Sequence, residues 1–77
     1  MKIQERREIA REFGVHNATV AAIHTYMAGK LTEVEGPTQL AEMAMDEFVD
    51  FRDLEGELVE DELFFEIAGH FEYAGLE

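Results

Sequence analysis

Glycine and proline divide this chain into segments, and each segment carries apolar residues at helical spacing. Gly14, Gly29 and Gly56 stand where the apolar pattern stops, and Pro37 stands where it resumes. Glycine adopts the left-handed conformation that ends many helices, whereas proline suits the first turn of a helix. The pattern therefore predicts an all-α fold with helices over residues 3–13, 17–28, 37–54 and 57–74.

Each predicted helix has one apolar stripe, which a small domain buries in its core. Asn17 is the predicted N-cap of the second helix, with His16 as the alternative. Gly69 falls inside the fourth helix and is expected to kink or fray it. The residues predicted to face inward are Ile9, Ala10, Phe13, Val20, Ile23, Met27, Leu40, Ala44, Phe48, Phe51, Val59, Leu63, Phe64, Ile67, Ala68 and Phe71.

The composition argues against an enzyme. The 77 residues form one domain near the lower limit for a self-sufficient core, which leaves little volume for a pocket. There is no cysteine and no serine, so a disulfide, a thiolate metal site and a serine or cysteine nucleophile are all excluded. No phosphate-binding glycine loop is visible. We predict no catalytic residue, no metal and no cofactor.

Nothing in the sequence indicates a membrane protein. No apolar run approaches the roughly 20 residues that cross a bilayer. The amino-terminal residues are polar and helical in character, unlike a signal peptide. The sequence therefore predicts a cytoplasmic protein, in the cytosol of a host cell, with no membrane partner.

Charge is strongly segregated along the chain. The net charge of the whole is −12, but residues 1–32 sum to +2, and residues 33–77, where Arg52 is the single base, sum to −14. Disordered acidic tails lack bulky apolar residues, whereas this second part is rich in Leu, Phe, Met and Val. We therefore predict a single domain over 1–77. Its two parts are a nearly neutral hairpin over 1–29 and an ordered acidic helical part over 37–77.

Within residues 8–25, small and apolar residues stand where two crossing helices need them, at Ala10, Gly14, Val15, Val20 and Ile23. The alanine lets the helices approach, the glycine turns the chain, and the three branched residues cover the crossing. This stretch resembles the helix-turn-helix of small regulators and phage-encoded DNA-binding proteins. The resemblance implies a second helix that enters the DNA major groove.

As a DNA-binding module, the hairpin would need basic residues on phosphates and polar residues on base edges. The family usually has a helix before this pair. None is predicted here, so the acidic helices are expected to supply its packing. The net charge of −14 on the same small domain opposes DNA binding. The candidates are Arg6, Arg7, Arg11 and Lys30 for phosphates, and His16, Asn17, Ala21 and Thr25 for the major groove.

The acidic part carries more charge than solubility requires. Like charges one helical turn apart, such as Glu62 and Glu66, cost stability. A dense negative surface attracts the basic grooves in which nucleic-acid enzymes hold phosphates. In this character the chain is similar to small acidic phage inhibitors of host defence, among them DNA mimics and some anti-CRISPR proteins. The predicted contacts are Asp46, Asp50, Asp53, Glu57, Glu60, Asp61 and Glu66.

Two features of the fourth helix have a second interpretation. Glu62, Glu66 and His70 share a helix face that could hold a divalent metal, although such a stripe is more often simply exposed to solvent. Phe65 and Tyr73 lie off the main apolar stripe. If they are exposed, they mark a partner surface or a contact within a homodimer.

The sequence favours one function and keeps a second open. The leading prediction is a non-enzymatic interaction protein from a phage or mobile element. Its acidic helices would bind, and block or modulate, the basic surface of a nucleic-acid-handling host protein. The alternative is a dimeric helix-turn-helix regulator of transcription that binds DNA. A subunit of a larger assembly is a third, weaker interpretation.

Overall fold

The computed structural model describes residues 2–48 and 61–71, and every regular element in these ranges is helical. The elements are α1 at Ile3–Phe13, α2 at Asn17–Ala28, a 3₁₀ helix at Leu31–Glu33, α3 at Pro37–Glu47 and α4 at Asp61–Ala68. The predicted all-α fold with four helices is confirmed. The 3₁₀ helix lies in the segment that was predicted to connect the second and third helices.

Gly14 joins α1 to α2 through a left-handed turn, with φ 67° and ψ 32°. The Val15 N–H donates to the Ala10 carbonyl at 2.9 Å, and the Gly14 N–H donates to the Arg11 carbonyl at 3.3 Å. This pair of bonds is the Schellman pattern, which satisfies carbonyl groups at the end of a helix. The predicted glycine turn is confirmed, and its hydrogen bonds fix the direction in which the chain enters α2.

α2 begins at Asn17, and His16 occupies the extended cap position before it. The prediction of Asn17 as the N-cap is therefore wrong by one residue, and the alternative, His16, is correct. The His16 carbonyl accepts bonds from the N–H groups of Thr19 and Val20, at 3.0 and 3.3 Å. Asn17 lies exposed in the first turn of the helix.

α2 is one of two central helices, since it and α4 each pack against the other three. Its inward side chains Val20, Ile23 and Met27 have no solvent exposure. The core is completed by Ile9, Ala10, Leu40, Ala41, Ala44, Leu63, Phe64, Ile67 and Ala68, with Phe13, Phe48 and Phe71 packed partly buried against it. The predicted inward stripes are confirmed for the described residues, whereas Phe51 and Val59 lie outside them.

α3 ends at Glu47, earlier than predicted. Phe48 has left helical geometry, with φ −105° and ψ 25°, and its N–H closes the helix on the Ala44 carbonyl. The Phe48 ring lies edge-on to the Tyr26 ring, with centroids 5.6 Å apart, so this residue anchors the end of α3 to α2. The predicted continuation over 49–54 lies outside the described residues.

α4 ends at Ala68, so Gly69 follows the helix and does not kink it from within. The His70 N–H donates to the Ile67 carbonyl at 3.1 Å, and the Phe71 N–H donates to the Ala68 carbonyl at 3.4 Å. These shorter-range bonds tighten the chain into a turn. The predicted helix was thus too long at this end, and its remaining segments, 57–60 and 72–74, lie outside the described residues.

Candidate partner-binding surface

The outer faces of α3 and α4 are acidic, and neither helix contains a lysine or an arginine. The two helices pack against each other, and their apolar stripes face the core. Carboxylates therefore occupy the opposite, solvent-facing sides. We call these residues the acidic surface, and its members are the exposed Glu42, Asp46, Glu47, Asp61, Glu62 and Glu66.

Some of the predicted partner contacts lie within the described residues, and the others lie outside them. Asp46, Asp61 and Glu66 are exposed members of the acidic surface. The sequence prediction left out Glu42 and Glu62 as contacts, although both lie one helical turn from a predicted contact on the same helix face. The predicted contacts that lie outside the described residues are Asp50, Asp53, Glu57 and Glu60.

The acidic surface contains like charges at adjacent helical turns. Glu42 and Asp46 are four residues apart on α3, and Glu62 and Glu66 are four residues apart on α4. Such pairs destabilise a helix by about 0.2–0.5 kcal/mol each, because the carboxylates repel each other. Within residues 2–48 and 61–71, no lysine or arginine forms an ion pair with these four, and the one basic contact is that of Glu66 with His70.

Phe65 lies exposed in the acidic face of α4. Its residue exposure is 43%, whereas the neighbouring Phe64 is 3% exposed and belongs to the core. Asp61 and Glu62 lie one helical turn before Phe65, so their carboxylates are its neighbours on the helix surface. The exposure predicted as a possibility for Phe65 is therefore observed, whereas Tyr73 lies outside the described residues.

A histidine cluster lies at the carboxyl-terminal end of α4. His70 Nε2 is 3.4 Å from Glu66 Oε2, and the His24 ring of α2 stacks on the Phe71 ring with centroids 4.7 Å apart. Glu62 does not complete a metal site with the other two, since no group of three potential ligands is assembled anywhere in residues 2–48 and 61–71. The stacked rings of His24 and Phe71 join the end of α4 to α2.

The stacked environment lowers the pKa of His24 below its ordinary value of 6.5. Burial is the main cause, because it disfavours the imidazolium, and the positive charges of Arg6 and His70 act in the same direction. A group with a depressed folded-state pKa binds its proton more weakly in the folded protein than in the unfolded chain. Folding is therefore favoured above pH 6.5, and this contribution is lost as the pH falls through the folded-state value.

We expect the wild-type protein to lose thermal stability relative to the His24→Phe variant as the pH falls from about 7.5 to about 5.5. Phenylalanine keeps an aromatic ring beside Phe71 and removes the titration. Circular dichroism measures the melting midpoint of each protein at each pH. The effects of the carboxylates, which both proteins share, cancel in the difference between the two midpoints. Parallel pH profiles for the two proteins would show that protonation of His24 does not oppose folding.

The predicted phosphate contacts differ in their environments. Arg7 and Arg11 are exposed on α1, whereas Arg6 is half-buried, with a buried Nε that has no hydrogen-bond partner among the described residues. Lys30 is engaged within the chain, since its Nζ lies 3.7 Å from Glu33 and 5.6 Å from the centre of the Tyr26 ring. Of the four basic candidates, only Arg7 and Arg11 are therefore both exposed and without a described partner within the chain.

The outer face of α2 is open to solvent and carries no lysine, arginine, aspartate or glutamate. His16, Asn17 and Thr25 are exposed, and Ala21 is half-buried between them. The acidic helices therefore leave this face uncovered. Among these four positions Asn17 offers the side chain best suited to reading a base, and the alanine offers only a methyl group.

The chain matches no protein-family model, no curated protein and no solved structure. In residues 2–48 and 61–71, no helix combines the length and the apolar character needed to span a membrane. Evidence on function therefore comes from the exposed faces of the helices and from their charges.

Proposed function

We propose that this chain is a non-enzymatic interaction protein whose acidic surface on α3 and α4 binds a basic surface of a nucleic-acid-handling protein. The observation that carries the proposal is the complete absence of lysine and arginine from two packed helices that expose Glu42, Asp46, Glu47, Asp61, Glu62 and Glu66. A surface of this kind raises the local concentration of a basic partner and accelerates association.

The repulsion within the acidic surface supports a functional origin for the charge. A small protein stays soluble with a net charge of about 2 to 8 in magnitude, and the net charge of −12 exceeds that range. Residues that reduce folding stability without serving the core are commonly kept for binding or catalysis. Here the carboxylates are exposed and assemble no metal site in the described ranges, so binding is the better account.

Nucleic-acid-handling proteins are the partner class that this surface fits best. Their grooves hold a row of phosphates with lysine and arginine, and most of their affinity comes from that neutralisation. Carboxylates presented at successive turns of a helix supply a comparable row of negative charges. Occupation of the groove by α3 and α4 would exclude DNA or RNA, so the proposed consequence of binding is inhibition or modulation of the partner. An origin in a phage or mobile element, within a host cytosol, belongs to the same proposal.

A displacement assay tests the proposal directly. A labelled DNA or RNA is bound to each member of a panel of nucleases, polymerases and RNA-guided effector proteins, and the chain is added while fluorescence anisotropy is recorded. We expect displacement from at least one basic groove, with an affinity that falls about tenfold or more as salt rises from about 0.05 to about 0.3 M. Displacement that does not change with salt would contradict a charge-driven interface.

The open face of α2 favours a second candidate function, DNA binding by the α1–α2 hairpin. Asn17 and Thr25 are exposed on α2, and Arg7 and Arg11 are exposed on α1. The same assay contains the deciding measurement, since the labelled DNA is also titrated with the chain alone. Binding to DNA at low salt, lost on substitution of both arginines, would favour the regulator over the inhibitor. A homodimer detected by sedimentation would fit the regulator better as well.

A further inference from the structure

We propose that Phe65 and the carboxylates beside it form a docking site for an arginine side chain of the partner protein. This inference rests on the proposed function and adds the residue class that the partner must present. Phe65 is an exposed aromatic ring on α4, at 43% exposure, in a helix face that is otherwise acidic. Exposed aromatic residues within a charged surface are the usual anchors of protein interfaces.

The helical register places two carboxylates beside the ring. Glu62 precedes Phe65 by three residues and Asp61 by four, so both lie one turn below it, at about 5–6 Å between Cβ atoms. A cation resting on the ring therefore meets carboxylates at its edge and gains both a cation–π contact and charge-assisted hydrogen bonds.

The chain contains a filled example of the same arrangement. Lys30 Nζ lies 5.6 Å from the centre of the Tyr26 ring and 3.7 Å from a carboxylate oxygen of Glu33. A ring, a carboxylate and a cation are thus already combined once in this fold. At Phe65 the ring and the carboxylates are present, and no described lysine or arginine rests on them. A basic partner would supply a cation of this kind at Phe65.

Arginine fits this site better than lysine. Its planar guanidinium stacks flat on a ring, and its N–H groups point outward in a plane parallel to the ring, where they can reach carboxylates at the ring edge. The lysine ammonium is more strongly hydrated and presents a single point charge, so it gains less from the ring. A site built only from carboxylates would bind the two cations with similar strength. The ratio of the affinities for arginine and lysine therefore measures how much the Phe65 ring contributes to binding.

The test compares labelled oligo-arginine and oligo-lysine peptides of equal length, bound to the full chain at physiological salt. We expect the arginine peptide to bind about fivefold more tightly. In Phe65→Ala the two peptides should bind within about twofold of each other, while Phe65→Tyr should keep the preference. The matched control is Ile3→Ala, which removes another large exposed apolar side chain, at 59% exposure on α1, and should leave the preference unchanged.

Each contrary result separates this inference from the proposed function. Equal and salt-sensitive binding of both peptides by the wild-type chain would overturn the arginine site and leave a charge-driven surface standing. Failure of both peptides to bind at low salt would overturn the site and the proposed function together. Self-association of the wild type that is abolished in Phe65→Ala would assign the site to a second copy of the chain and overturn the inference. Circular dichroism and melting of Phe65→Ala verify that the variant folds.

Discussion

Substitution of Gly14 by alanine is expected to lower the free energy of unfolding by about 1–2 kcal/mol, a fall of roughly 4–16 °C in the melting midpoint of a domain this small. The cause lies in the backbone. At φ 67° a Cβ atom crowds the following carbonyl group, whereas a Cβ built on Gly14 meets no other atom within 4 Å. The penalty is therefore conformational and is not relieved by moving a neighbouring side chain.

Gly29 provides a matched control at the end of α2. Its φ is −79°, and an added Cβ would lie 3.6 Å from the Tyr26 carbonyl oxygen, an ordinary contact. Alanine at this position restricts the unfolded chain without straining the folded one, so Gly29→Ala should be neutral or stabilising by up to about 1 kcal/mol. Thermal and denaturant unfolding measure both variants. Equal losses at the two positions would contradict a specific requirement for the left-handed turn at Gly14.

The turn at Gly14 also shows why the α1–α2 hairpin was predictable from the sequence. Its stability depends on residues close together in the chain: the glycine itself, Ala10 at the crossing, and Val20 and Ile23 one and two turns into α2. Each of these has a side-chain size or backbone freedom that no other residue nearby supplies. The N-cap was misplaced because Asn17 and His16 are adjacent, and boundaries depend on which of two neighbouring residues takes the extended conformation.

The ends of α3 and α4 could not be predicted in this way, because tertiary contacts decide them. Phe48 continues the apolar stripe of α3 in sequence, yet its ring lies against Tyr26 of α2 and its backbone has left the helix. Phe71 likewise continues the stripe of α4 but stacks on His24 after a turn at Gly69. Helical periodicity identifies these aromatic residues as buried. It does not identify the residue on the neighbouring helix whose contact ends α3 or α4.

The acidic surface was partly predictable, because helical spacing determines which residues of α3 and α4 face solvent. Helical spacing alone predicts that Asp46, Asp61 and Glu66 face solvent, because the opposite positions of α3 and α4 are apolar. The exposure of Phe65 next to a buried Phe64 also follows from spacing, since adjacent residues differ by about 100° around a helix. The engagement of Lys30 by Glu33 and Tyr26, however, depends on the 3₁₀ helix that follows α2, and no sequence pattern indicated it.

The largest effect on binding is expected from neutralising the two acidic pairs together, by Glu42→Gln and Asp46→Asn on α3 with Glu62→Gln and Glu66→Gln on α4. We expect an affinity for the displaced partner that is about 100-fold weaker, since four charges leave the interface. The amide side chains keep nearly the same shape, so loss of packing does not explain a loss of affinity. The displacement assay measures it at a fixed low salt concentration.

Folding stability is expected to change in the opposite direction when the α3 pair alone is neutralised. Removal of the repulsion between Glu42 and Asp46 should stabilise α3 by about 0.2–0.5 kcal/mol, so the Glu42→Gln, Asp46→Asn variant should melt at a slightly higher temperature than the wild type. On α4 the lost repulsion is offset by the lost contact of Glu66 with His70. A charge retained only for solubility has no reason to show this opposition between binding and folding. Weaker binding combined with greater stability would therefore indicate that the carboxylates serve the interaction at the expense of the fold.

A matched control for this variant is available on α1, where Glu8 and Glu12 are exposed and four residues apart. The double substitution Glu8→Gln and Glu12→Gln changes the net charge as much as the α3 pair alone, or the α4 pair alone, and affects the same kind of helix position. It should weaken the partner complex by less than about twofold, whereas either acidic-surface pair alone should weaken it about tenfold. Equal weakening by all three double variants would mean that total charge governs binding, and that α3 and α4 have no special place in the interface.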